Sequence, residues 1–377
     1  MSEKTKISWC DSTINPCMGC GGCELLLSPG KICRDIDAAV KSVSPRWKKG
    51  AAKGALSALI AETYAEIGSP QPFHSGELTT TNMWHVRKPF IEAVKQTAGR
   101  HAAIAASMAI QRGAACYAAK LHFNRGGSIC NTSRKLNSGY TPEFTKIALY
   151  PGRVAKMSRK KDLIGTDRPD KPWLDGLARL VFVSDMGDCF SGYDTERRRF
   201  LETDVMPSLS SDKGRRHILM WLTKRPNKMA EFASHIGGFP ENVCCMTTLV
   251  DGSIRSLDRV DQLRKVNAAM RGLSLEPLMA RIDPGSLNLE GIDWVIVGGE
   301  SGNNTARPFD LQWARDIRDV CRRAGVAFFM KQLGRNPMVD GQPYKLVMDK
   351  SHGGDWREWP EDLRIREMPR AFRQYRR

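Results

Sequence analysis

The sequence predicts an α/β fold, a full or partial TIM-like (βα) barrel with a helical insertion near its N-terminus. Two observations carry that expectation. From about Lys146 onward, short runs rich in Val, Ile and Leu alternate with amphipathic stretches of helical period, as parallel strands buried on both faces require. Ahead of them, two alanine-rich helical stretches occupy most of residues 35–115. An open doubly wound sheet is the alternative arrangement of the same elements.

Lys6–Asp11 (KISWCD) reads as a short strand, followed by the loop INPCMGCGGCELLLSPGKIC from Ile14 to Cys33. About Asp35 to Gly68 is helical with a basic middle, and polar SPQPFHSGELTTTN separates it from a second helical stretch, roughly Lys88 to His122. The strands expected in the barrel are Leu180–Ser184, His217–Thr223, Asn242–Thr248, Arg271–Glu276, Trp294–Gly299 and Val326–Lys331. The N-terminal strand and Thr145–Tyr150 (TKIALY) bring the set close to a barrel's complement. Helices between them include Thr195–Met206, Arg255–Val266 and Asp310–Gly325. The chain then divides into residues 1–34 (strand and Cys-rich loop), 35–115 (helical insertion), 116–340 (barrel core) and 341–377 (C-terminal extension with an arginine-rich tail).

With 41% hydrophobic and 26% charged residues, the chain can bury a core. No apolar run approaches the roughly 18 residues of a membrane helix. The opening MSEKTKISW lacks the apolar stretch of a signal peptide, so the expected location is the cytoplasm. Lys and Arg outnumber Asp and Glu by 58 to 41, a formal net charge of +17. Arg153, Lys156, Arg159, Lys160 and Lys161 stand together without an intervening acid, and the tail from Arg364 holds six arginines against one glutamate. Any one such cluster is ordinarily a solvated face. An excess spread over the whole chain gathers polyanions, because each phosphate neutralised releases condensed counterions. Nucleic acid is the natural partner.

Polar residues stand where several strands end: Asp185 and Asp188, Lys224 and Arg225, Glu276, Glu300, and Lys331 with Gln332. In a parallel barrel the C-terminal strand ends converge on the active-site face. A single such residue is commonly a strand-end cap or part of a structural ion-pair network; several on one rim suit a charged small molecule.

Eleven cysteines in a cytoplasmic chain do not form a disulfide framework, since that compartment keeps thiols reduced. Cys17, Cys20 and Cys23 in CMGCGGC are spaced by three with small residues between. Glycines let the backbone curl round a metal centre, and the CxxCxxC spacing points to metal or cluster ligation without naming the metal. Cys33 and Cys116 are further candidate ligands; Cys244, Cys245 and Cys321 fall in apolar contexts and read as core packing.

These blocks resemble a family of phage and bacterial proteins that look like radical S-adenosylmethionine (SAM) enzymes. The resemblance is carried by Trp9, Thr13, Asn15 and Pro16, by Gly19–Cys20, and by Cys116–Tyr117–Ala118. It continues through VFVSDMGDCF, LTKRP, LSLEPL, IDWVIVGGESG, FFMKQLG and EWPEDLRIREMP. One departure is the stretch of some ninety residues between GCGGC and CYA, where the family's three cysteines lie close together. The resemblance implies a barrel of the radical SAM type and a [4Fe–4S] cluster held by Cys20, Cys23 and Cys116, with Cys17 and Cys33 in reserve. SAM would bind the remaining iron and be split reductively to a 5′-deoxyadenosyl radical, with an electron donor such as flavodoxin or ferredoxin. Gly298, Gly299, Glu300 and Ser301 of GGESG would lie against SAM. Glu300 or Glu276 would meet its ammonium or ribose, and Lys224 or Arg225 its carboxylate.

The resulting expectation is an isomerase or lyase that remodels an amino-acid-decorated pyrimidine in phage DNA hypermodification, inside an infected bacterial host. A DNA lesion-repair lyase or an RNA-modifying enzyme is the second reading. A non-catalytic DNA-binding protein with a structural zinc is the rival from another class. It explains the charge and the cysteines but leaves the polar strand ends unused.

Overall fold

The computed structural model describes residues 7–18, 20, 29–56, 58–59, 80–113, 118, 144, 147–302 and 306–375. The chain divides into two compact units, one of Met1–Pro16, Tyr150–Asp185 and Tyr193–Arg377, the other of Cys17–Leu149 and Met186–Gly192. The strands in chain order are β1 (Ser12–Ile14), β2 (Cys17–Met18), β3 (Ala148–Leu149), β4 (Arg179–Val183), β5 (His217–Thr223) and β6 (Val243–Thr248). They continue with β7 (Met270–Leu275), β8 (Trp294–Gly298), β9 (Pro308–Asp310), β10 (Ala327–Gln332), β11 (Asn336–Val339) and β12 (Gln342–Pro343).

The first unit is built on a seven-stranded sheet in the order β1-β4-β5-β6-β7-β8-β10. Every pairing in it is parallel. The order follows the chain without reversal, whereas a doubly wound sheet reverses at a switch point. The sheet is therefore a partial α/β barrel. Its helices follow local signals. Leu311–Ala324 starts at Asp310, whose carboxylate accepts from the Gln312 amide, and stops at Gly325 in the left-handed region. It buries Leu311, Ala314, Ile317, Val320 and Cys321, one stripe of helical period, against the sheet. Ser253 caps Ile254–Arg264 in the same way. Cys244, Cys245 and Cys321 are fully buried, as packing residues should be.

Side chains of the inner face form one core around Trp9, Phe182, Met220, Met246, Trp294 and Phe329. Its aromatic rings meet edge to face, Trp294 lying 5.7 Å from Phe329 and 5.5 Å from Phe372. Beneath it Asp11 and Arg168 form a buried ion pair at 2.9 Å.

Three expectations are corrected here. The N-terminal strand is Ser12–Ile14, not Lys6–Asp11. Residues 7–10 form turns whose carbonyls are taken by side chains: the Lys171 ammonium reaches Ile7 and Cys10, both at 2.6 Å, and the Trp173 indole reaches Ser8 at 2.8 Å. Among the described residues of TKIALY, Ala148–Leu149 forms a strand outside the barrel sheet, paired antiparallel with β2 in the second unit. The tail is in part structural rather than a free basic arm. The Arg366 guanidinium lies over Trp173 at 4.2 Å and near Trp356 and Trp359, and donates to the carbonyls of Met330 and Lys331. Burial pushes its pKa down to about 10. Arg364 donates to the carbonyls of Trp359 and Arg357. Ile365 and Glu367 bond to Met330 and Phe328, laying the extension along the outer edge of β10.

The second unit packs the helices Pro29–Val43, Thr80–Ala98 and Arg100–Gly113 around Ile36, Val40, Phe90, Val94, Ala106 and Ile110. The Asp37 carboxylate, buried here, accepts from the Trp47 indole (2.8 Å) and the amides of Gly50 (2.7 Å) and Ala52 (3.0 Å), which fixes the turn after the first helix.

His217, which opens β5, is buried with Nε2 3.3 Å from the Ser158 carbonyl oxygen. Burial, and the nearby Arg179, Arg216 and Lys160, lower its pKa from 6.5 to about 4. The fold thus prefers the neutral ring, and the stability this contributes is complete above pH 6.5 and is lost as pH falls toward 4. His217→Gln is expected to flatten the acid limb of the urea midpoint in that window. An unchanged limb would place the acid sensitivity elsewhere.

Candidate functional site

The C-terminal ends of the parallel strands share one rim above the aromatic core. Side chains alternate along a strand, so Ile296 in the core puts Gly298 on the inner face. Pairing of β10 with β8 skips from Met330 to Gln332, which makes Lys331 the extra residue of a bulge. There its ammonium pairs with Oε1 of Glu276, at the end of β7. Both side chains keep 18% of their exposure, so the pair is sheltered but reachable. A Cβ placed on Gly298 would lie 3.5 Å from Cγ of Glu276, which seats the two strand ends side by side.

Glu300 follows β8. Its Oε2 accepts from the Arg307 amide at 2.9 Å and lies 3.5 Å from the Arg307 guanidinium. The loop around it is braced: Gly299 N–H donates to Gln332, Gly302 N–H to Ser351, and the Arg335 amide to the Glu300 carbonyl. A Cβ on Gly299 would meet the Leu333 carbonyl oxygen at 2.4 Å. Close backbone packing thus accounts for glycine at 299, a duty distinct from the ligand contact expected of it. Ser301 is half-buried beside Glu300. Lys224 and Arg225 follow β5, half-buried, with the Arg225 amide donating to Thr223 Oγ1 at 2.9 Å as the next helix begins.

At the end of β4, Ser184 adopts φ +70°, the left-handed region, although it is not glycine. Such strain persists only where surrounding structure holds it, often at functional sites. It precedes Asp185, whose carboxylate accepts from the Asn15 amide nitrogen at 2.6 Å. Burial raises the Asp185 pKa, and the Asn15 and Thr13 hydrogen bonds oppose that rise. Strand-end position alone flagged Asp185 and Lys331 but did not enrol them in the site. The bulge and the Asn15 partnership are long-range features, and a single sequence carries no signal for them. The rim therefore presents carboxylates for an ammonium or ribose hydroxyls and cations for a carboxylate or phosphate.

In the second unit, the Cys20 amide donates to the Phe144 carbonyl at 2.9 Å and its thiol lies 3.6 Å from Ser191 Oγ. Among the described cysteines, Cys20 is the one whose side chain is not buried. Cys17 is buried in β2, and Cys33 packs in the helical core, where burial raises its pKa. Cys23 and Cys116 lie outside the described residues. Among the described residues no three His, Cys, Asp or Glu side chains converge as a metal site.

No curated protein and no solved structure matches the chain. A family model does, over residues 105–360, and this span takes in every strand from β3 to β12 and every rim residue from Asp185 to Gln332. The chain belongs to that family, described as a protein of unknown function, DUF5131.

Proposed function

We propose that the chain is a radical SAM enzyme acting on nucleic acid, with a modified, amino-acid-decorated pyrimidine in phage DNA as its substrate class. The observation that carries this reading is the CMGCGGC loop, in which Cys20 is not buried. Cluster ligands are thiolates. Burial raises the pKa of Cys10, Cys33, Cys244, Cys245 and Cys321, which disfavours that form. Cys20 is the described cysteine that is not buried, and it fits a ligand's role. Cys23 and Cys116 complete the proposed set from the sequence. When bound, a [4Fe–4S] cluster with SAM supplies one-electron chemistry that generates a hydrogen-abstracting radical.

The residues of the first unit have simpler tasks. Glu300 and Glu276 offer carboxylates to the SAM ammonium or ribose, each sharing its charge with a resident cation. Lys224 and Arg225 offer cations to the SAM carboxylate. The inner aromatic core closes the far side of the rim to water. The net charge of +17 favours a polyanionic substrate.

The test is anaerobic purification with iron and sulfide analysis, followed by SAM calorimetry on the reconstituted protein. Iron and sulfide in equal amounts are expected, with SAM binding weakened by both Glu300→Ala and Lys224→Ala. Stoichiometric zinc in protein that cannot be reconstituted with iron would replace this reading with the structural-zinc one. SAM binding unchanged in both variants would move the SAM site off the rim.

A further inference from the structure

We infer that the N-terminal ends of β4 and β5, with the segments packed on them, form a docking surface for the phosphate backbone of a polymeric nucleic acid. The inference rests on the nucleic-acid reading above and adds where the polymer is held.

Several cations elsewhere on the first unit are compensated. Arg264 pairs with Asp261, Arg281 with Asp316, Arg315 and Arg318 with Asp362, Arg322 with Asp319, and Arg357 with Asp355. At the starts of β4 and β5 uncompensated cations gather. Lys156, Arg159, Lys161, Lys213, Arg215 and Arg216 have no carboxylate partner among the described residues. All are exposed except Arg216, which is half-buried.

These cations belong to one surface although they come from separate segments. The Ser158 hydroxyl donates to the Ser208 carbonyl at 3.1 Å, joining the helix Arg153–Ser158 to the helix Met206–Ser210 that precedes the turn into β5. Arg179, at the start of β4, donates from Nε to the Lys161 carbonyl at 3.0 Å. The Tyr375 hydroxyl donates to the Arg215 carbonyl at 2.8 Å, bringing up the C-terminal helix with exposed Arg370 and Arg373. Positive potential also reaches the interior here: beyond the effect of burial, Arg179, Arg216 and Lys160 each lower the pKa of His217. Asp162, Asp212 and Glu241 are acidic neighbours, too few to neutralise the surface.

The chemistry selects the partner. Lysines and arginines reaching into solvent contact phosphates, which hold a polymer in place without reading its sequence. The location explains why the partner is a polymer. β5 separates this surface from the rim by seven residues, about 20 Å at ~3.3 Å per residue. A single nucleotide bound at the rim does not span that distance, whereas a chain of nucleotides does.

The test is DNA affinity of the full chain as a function of salt. Removing four contacts with Lys156→Gln, Arg159→Gln, Lys213→Gln and Arg215→Gln together should reduce the log–log salt slope by about 3.6 for duplex or about 2.8 for single-stranded DNA. The size of the change thus identifies which form is bound. An equal charge removal at paired positions, Arg264→Gln, Arg281→Gln, Arg322→Gln and Arg357→Gln, should leave the slope unchanged. Arg159→Lys with Arg215→Lys should keep it too, and that variant guards against a folding defect. A wild-type slope retained by the first variant, or lost equally in the paired-position control, overturns the surface and leaves the nucleic-acid reading standing. A wild-type protein with no salt-dependent DNA binding, or one that binds anionic vesicles instead, overturns both.

Discussion

Cys20→Ala is expected to strip the protein of iron, whereas Cys321→Ala and Cys244→Ala should leave iron content intact. The contrast follows from accessibility. Cys20 is the described cysteine that is not buried, and its main chain is pinned to Phe144. Cys321 sits on the buried stripe of the helix Leu311–Ala324, and Cys244 inside β6. Losing a ligand should cost at least the roughly 10–100-fold that removal of an outer-shell partner costs. Cys23→Ala and Cys116→Ala should behave like Cys20→Ala. Iron and sulfide per chain after anaerobic reconstitution is the measurement. Full iron in Cys20→Ala would remove it from the ligand set and with it the structural support for the cluster.

Asp11→Ala should produce the largest loss of stability, about 3–5 kcal/mol, because it strands a buried guanidinium. The Arg168 and Asp11 side chains are each only 9% exposed. Arg168 also donates to the carbonyls of Thr166, Leu174, Leu177 and Ala178, so it cannot swing into solvent without breaking the floor of the barrel. Asp11 serves twice, its other oxygen accepting from the Leu180 amide at 2.8 Å at the start of β4. Against a total stability of about 5–15 kcal/mol, the loss is severe. The urea midpoint reads it. A double variant, Asp11→Ala with Arg168→Met, should recover part of it by removing the stranded charge. A single variant within 1 kcal/mol of wild type, on the order of a surface substitution, would show that the cation is solvated after all.

The parallel sheet was legible because strands buried on both faces must be continuously apolar. His217–Thr223 coincides with β5, and the other five expected strands overlap β4, β6, β7, β8 and β10. β1 was not legible. Ser12–Ile14 has too few residues for a pattern, and register with β4 alone makes it a strand. Trp9 in KISWCD imitates a strand because it plugs the inner core. The polar rim was legible as strand-end chemistry in Glu276 and Glu300, but their partners Lys331 and Arg307 depend on a bulge and a loop return. The tail's charge misled in part: Arg366 is enclosed by indole rings, and Phe372 fills the core. Truncation after Pro369 would consequently remove structure along with charge.

Ile365–Glu367 along β10 impose an order on biosynthesis. At about 5–20 residues per second, the ribosome takes roughly 2–7 s to go from Gln332 to Ile365. For that interval β10 presents an unpaired row of amides and carbonyls, the kind of template that recruits other chains. The N-terminal end waits as well, since Ser12 pairs with Val181. The sheet is thus completed late and from both margins. Nascent chains or degradation products ending before Ile365 carry an open strand edge, and chaperone dependence and aggregation of this protein should be governed by that brief, exposed stage.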